Sequence, residues 1–84
     1  MQMLLAIDVG NTNTVVALYE GEKMRRHWRM ATDKNRASDE IGMLLLQFLG
    51  TERAGAEDIE AVMISSVVPP FMHSLTNAVR RYLD

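Results

Sequence analysis

The sequence contains no cysteine, only two prolines and a single tryptophan. Without cysteine there is neither a disulfide scaffold nor a thiolate zinc site, and nothing points to an oxidising compartment. A cytoplasmic setting is the expectation. Long apolar runs are missing too: the opening stretch from Met1 to Ile7 meets Asp8 well before the ~18 residues that would span a membrane. It carries no basic leader, so it does not read as a targeting signal, and no membrane partner is expected. Nor is there an excess of positive charge. Nine Lys and Arg stand against eleven Asp and Glu, a formal net charge of -2, which provides no global field for a phosphate backbone. The one basic cluster, Lys23, Arg25, Arg26, His27 and Arg29, interleaves with a single aromatic, Trp28, and reads as the wet face of a strand. Nucleic acid is therefore not an expected partner. His27 and His73 are far apart, with no second ligand at metal-binding spacing. Internal repeats and low-complexity segments are also absent, so residues 1–84 read as one unit.

What is present is globular: 48% hydrophobic and 24% charged residues, enough for a core but a thin one at this length. Met3 to Val9 is an apolar run of strand length, read as buried on both faces, and Gly10-Asn11-Thr12-Asn13 closes it as a tight turn. Thr14 to Tyr19 is rich in β-branched residues and pairs back as a hairpin, with Glu20-Gly21-Glu22 as the next turn. From Lys23 to Met30 the alternation places Met24, Trp28 and Met30 on one face and Lys23, Arg25, His27 and Arg29 on the other.

Ser38 is positioned to cap a helix whose first turn holds Asp39 and Glu40, favourable at the positive end of the macrodipole. Ile41, Leu44, Leu45, Phe48 and Leu49 form its apolar stripe, and Gly50 suits the left-handed residue that stops it. Thr51 to Asp58 reads as a loop, Ala61 to Ile64 as a fourth strand, and Pro69-Pro70 as a helix start before the stripe Phe71, Leu75, Ala78, Val79 and Tyr82. Met24, Met30 and Met43 read as gap-filling core. The order β-β-β-α-β-α implies an α/β fold with a mixed sheet. Its right-handed crossover lays the fourth strand parallel to a central first strand. Val62 and Ile64 would then lie on an open edge, the mark of an incomplete sheet.

The chemistry-bearing stretch runs from Asp8 to Val15. Gly10 permits close approach to the backbone, while Asn11, Thr12, Asn13 and Thr14 offer small donors suited to phosphate oxygens. Asp8 cannot bind phosphate directly, but it would serve a hard cation lying between itself and a polyphosphate. The same residues also suit a plain hairpin turn, where Gly and Asn tolerate left-handed conformations. Neither a Walker A pattern nor G-x-G-x-x-G is present, which leaves P-loop and dinucleotide-binding readings without support.

The run Leu4 to Val15, L-L-A-I-D-V-G-N-T-N-T-V, resembles the first phosphate motif of the acetate and sugar kinase, heat-shock 70 and actin superfamily. Its D-V-G-N-T form resembles type III pantothenate kinase. Further segments match that family in order: H-W-R-M-A-T-D at His27 to Asp33, D-E-I-G-M-L-L-L at Asp39 to Leu46, and I-S-S-V-V-P-P at Ile64 to Pro70. The resemblance implies a ribonuclease H-like (actin-like ATPase) half-domain, with residues 1–84 as its N-terminal phosphate-binding part.

It further implies ATP-dependent phosphorylation of pantothenate, the first step of coenzyme A synthesis. ATP phosphates would be held by Asp8, Val9, Gly10, Asn11, Thr12, Asn13, Thr14 and Val15, and Mg2+ by Asp8 through water. A monovalent cation (K+ or NH4+) and a homodimer are implied as well. The family's catalytic base lies in a later G-x-D-R segment, which does not occur in these residues, so no catalytic residue is assigned and the 84 residues alone are expected to be inactive. Two other readings fit parts of the pattern. A ribonuclease H-like metal-dependent nuclease shares the element order, although Ser65 and Ser66 stand where it would want a second carboxylate. A non-catalytic nucleotide-binding or assembly module is the other.

Overall fold

The computed structural model describes residues 2–83. Its elements are β1 (Met3–Val9), β2 (Asn13–Glu20), β3 (Lys23–Ala31), α1 (Ser38–Thr51), a 3-10 turn (Ala56–Asp58), β4 (Ile59–Ser66) and α2 (Pro69–Tyr82). The sheet order is β3-β2-β1-β4, with β1 antiparallel to β2 and parallel to β4. This is the expected α/β architecture, with β1 inside the sheet and β4 at its edge.

Strand periodicity decides which face is covered. Met3, Leu5, Ile7 and Val9 point to one side of β1, each no more than 2% exposed, and meet Ile41, Leu45 and Leu49 of α1 and Phe71, Leu75 and Ala78 of α2. Burying such side chains stabilises by about 1.5–3 kcal/mol each, so this layer dominates the fold's stability. The opposite face, with Leu4 and Ala6 half-buried and Asp8 exposed, has no helix on it among the described residues. The expectation that β1 is buried on both faces is thus corrected. Both helices pack on one side because their stripes converge on a single apolar layer.

β3 departs from simple alternation. Its pairing with β2 shifts between Leu18↔Arg26 and Tyr19↔Met24, which leaves Arg25 as an extra residue. One extra residue reverses the phase of everything beyond it. Trp28 and Met30 are buried on the helix side, whereas Met24 lies on the open face and is 47% exposed. Met43 is also exposed, at 52%, so of the methionines read as core only Met30 is buried there.

Two helix boundaries differ from the sequence reading. Ser38 is the first helical residue of α1 and Ala37 precedes it as the cap; the Ala37 N–H donates to Glu40 Oε1 at 2.9 Å, so Glu40 supplies the end bond that Ser38 was expected to make. At the other end the helix continues past Gly50 to Thr51. The left-handed residue is Arg53 (φ 57), and the Ala54 N–H returns to the Leu49 carbonyl at 3.0 Å. Gly21, with φ 63, makes the β2–β3 turn that its position suggested.

The helices lock at one point. Tyr82 of α2 lies flat against Gly42 of α1, where any Cβ would fall on the Tyr82 ring. Its hydroxyl donates to Asp39 Oδ1 at 2.6 Å, and Arg81 Nη1 reaches the same oxygen at 3.2 Å. The Tyr82 hydrogen bond, then Arg81, hold the Asp39 carboxyl below its ordinary pKa, and the bond to Asp39 raises that of Tyr82.

Candidate phosphate-binding turn

β1 ends and β2 begins at a turn only three residues long. The Gly10 N–H donates to the Asn13 carbonyl at 2.9 Å and closes it, and a Cβ at Gly10 would sit 3.1 Å from that same oxygen. A side chain there would require the Asn13 carbonyl to give by a few tenths of an ångström. Asn11, Thr12 and Asn13 are exposed, with a long 3.4 Å contact from Asn13 Nδ2 to Thr12 Oγ1, so their polar groups remain available to a ligand.

Strand alternation separates the remaining site candidates. Val9 is buried in the helix-side core and Val15 is half-buried on the open face. Thr14, 1% exposed, points away from solvent, and its hydroxyl pairs with that of Thr32 at 2.7 Å. The expected Thr14 side-chain contact with phosphate therefore has no geometric support; that hydroxyl is already engaged. Thr32 was not singled out by the sequence. The signal that finds it is register: β2 and β3 pair from Asn13↔Ala31 onward, so the next residue of β3's path falls beside the turn.

Asp8 stands on the open face, exposed, with Val15 beside it on β2 and Ser65 beside it on β4. With Ala6, Ala17, Met24, His27, Met63 and Ser65 it lines an open cavity of about 440 Å³. Among the described residues no group of three His, Cys, Asp or Glu side chains is placed to hold a metal. A lone exposed carboxylate does fit Mg2+ that keeps its waters and takes its other ligands from phosphates. It does not fit the carboxylate clamp of a two-metal nuclease, and Ser65 as the β4 partner of Asp8 confirms the lack.

α2 also begins at this end of the sheet, since the Val67 N–H reaches the Val9 carbonyl at 3.3 Å. The positive end of its dipole is therefore at the same end of the sheet as the turn. Pro69 and Pro70 carry no N–H, however, and the Phe71 and Met72 amides both return to the Val68 carbonyl, so α2 offers field rather than donors. The Ser66 hydroxyl accepts from the Val68 N–H at 3.0 Å and is spent on that corner. Ser65 remains exposed. His73 lies on the exposed side of α2 near Asn77 and takes no part. No helix among the described residues is long and apolar enough to cross a membrane.

Comparison with known proteins gives a consistent result. The family profile of type III pantothenate kinase matches residues 4–84. Type III pantothenate kinases of Listeria welshimeri and Syntrophotalea carbinolica are each 49% identical to this chain, over 82 and 81 residues, and that of Brevibacillus brevis is 44% identical over 82. These alignments take in 98%, 96% and 98% of the chain respectively, but 32% of each relative. The chain spans about a third of the length of the curated relatives it matches.

Proposed function

The chain belongs to the type III pantothenate kinase family, and from that premise we propose that it supplies the ATP phosphate-binding turn of a kinase that phosphorylates pantothenate. The reaction moves the γ-phosphate of ATP to the pantothenate hydroxyl and gives 4'-phosphopantothenate, which opens coenzyme A synthesis. The observation that carries the reading is the turn itself. Gly10 closes it without a side chain, Asn11, Thr12 and Asn13 are exposed, and Asp8 is exposed on β1 two residues before Gly10.

Phosphoryl transfer requires positioning and charge stabilisation more than covalent chemistry from the protein. Asn11, Thr12 and Asn13 donate to phosphate oxygens, with the turn's backbone close because Gly10 admits it. Asp8 would hold Mg2+ through water, and the ion, when bound, would supply positive charge beside the phosphates. The α2 pole adds a favourable field. Val9 and Val15 flank the turn and keep its two strands in register. The base that takes the proton of the acceptor hydroxyl is supplied from outside these residues. Binding of a monovalent cation, a homodimeric assembly and a cytoplasmic setting are parts of the same proposal and rest on family resemblance.

The test is a chimera in which this chain replaces the matching third of the Listeria welshimeri enzyme. ATP-dependent phosphorylation of pantothenate that is retained by the chimera and lost with Asp8→Asn supports the proposal. A folded chimera whose activity is indifferent to Asp8→Asn refutes the assignment.

A further inference from the structure

We propose that Thr32 is a positioning residue for the nucleotide-binding turn, an inference that rests on the phosphate-binding reading of Gly10 to Asn13. Thr32 grips the segment after the turn at two places. Its N–H donates to the Thr12 carbonyl at 2.9 Å, and its hydroxyl pairs with that of Thr14 at 2.7 Å. Thr12 is exposed on the ligand side of the turn and Thr14 is buried on the core side, so one residue fixes both the outward and the inward member of the pair. Between them stands Asn13, whose carbonyl closes the turn on Gly10.

The hydroxyl pair is costly to break and specific in direction. Among the described residues Thr14 is the one buried polar residue, 1% exposed, so its hydroxyl depends on a protein partner and Thr32 provides one. Removal of the Thr32 hydroxyl leaves Thr14 Oγ1 to seek another partner, and the rotation or strand shift that this requires moves Asn13 and Thr12. Phosphate donors must be preset within fractions of an ångström to act. The ladders with β1 and β3 hold the backbone from Asn13 onward, and the Thr32 hydroxyl ties the Thr14 side chain to that frame without itself touching the ligand.

The experiment uses the chimera in which this chain replaces the matching third of the Listeria welshimeri enzyme, with Thr32→Val, Thr32→Ser and Thr14→Val/Thr32→Val variants, Mg·ATP affinity read from amide shifts of Gly10 to Asn13 and stability read as Tm. Thr32→Val is expected to weaken affinity about tenfold, whereas Thr32→Ser keeps it within about threefold because the hydroxyl is retained. The double variant leaves no orphaned hydroxyl and is expected to regain Tm while its affinity stays low. A purely structural role would have affinity and Tm recover together in the double variant, and that result overturns the inference. Unchanged affinity in a folded Thr32→Val overturns it as well while leaving the nucleotide reading intact. Absence of any nucleotide response in the folded, unsubstituted chimera overturns both.

Discussion

The Tyr82 hydroxyl donates to Asp39 Oδ1 at 2.6 Å and fastens the last turn of α2 to the first turn of α1. The ring reaches that position because residue 42 is glycine. A glycine inside a helix costs about 1 kcal/mol relative to alanine, and here the cost is offset by the approach it allows.

Gly42→Ala is accordingly expected to destabilise despite alanine's better helix propensity. The added methyl falls on the Tyr82 ring, and overpacking of this kind costs about 1–3 kcal/mol. Thermal denaturation checks it. Combining it with Tyr82→Ala should recover part of the loss, because the obstructing ring is gone.

The same contact sets a pH window. The Asp39 pKa is lowered in the folded state, so its contribution is present above the ordinary carboxylate range and is lost as pH falls through the depressed value. The Tyr82 pKa is raised, so its contribution is present below the ordinary tyrosine range and is lost as pH rises through the raised value. Tm measured against pH should therefore show the largest difference between the unsubstituted chain and Tyr82→Phe near neutrality, narrowing at both extremes. A constant offset across pH would contradict the assignment.

Trp28 stacks on Phe48 with ring centroids 5.2 Å apart and planes 7° from parallel, and Arg26 lies 5.9 Å from the indole ring. Phe48→Ala is expected to cost about 1–3 kcal/mol, below the range for fully buried phenylalanine because Phe48 is half-exposed. As Trp28 is the only tryptophan, the change should also appear as a red shift of its emission.

Several of these features were legible in the residues and several were not, for identifiable reasons. Element order, the parallel β1–β4 pair and both helix stripes follow from hydrophobic period, which a single tight core enforces. The phase of Met24 did not follow, because a bulge at Arg25 is a property of pairing with β2 and leaves no mark in β3 alone. Gly50 reads as a stop, yet Arg53 takes the left-handed position, where the Ala54 N–H finds the Leu49 carbonyl. The turn from Gly10 to Asn13 was evident from composition. Which of its neighbours face solvent was not: Thr14 resembles its exposed neighbours in type and differs only in the side of the strand it occupies.

Asp8 and His73 offer a contrast within one titration. Both are exposed, so neither substitution by alanine should shift Tm by more than about 0.5 kcal/mol equivalent, yet only Asp8 borders the turn. Asp8→Ala should abolish Mg2+-dependent nucleotide binding and His73→Ala should leave it unchanged. Equal effects would defeat the site assignment.

The central claim is that Gly10 to Asn13 receives nucleotide phosphate, and the most direct measurement is an amide NMR titration with ATP, with and without Mg2+, of the chimera that carries this chain. The account predicts shifts concentrated at Gly10, Asn11, Thr12 and Asn13 that require Mg2+ and vanish in Asp8→Ala. A dispersed spectrum in which those amides stay still, or in which shifts spread without regard to Mg2+ or Asp8, would contradict it.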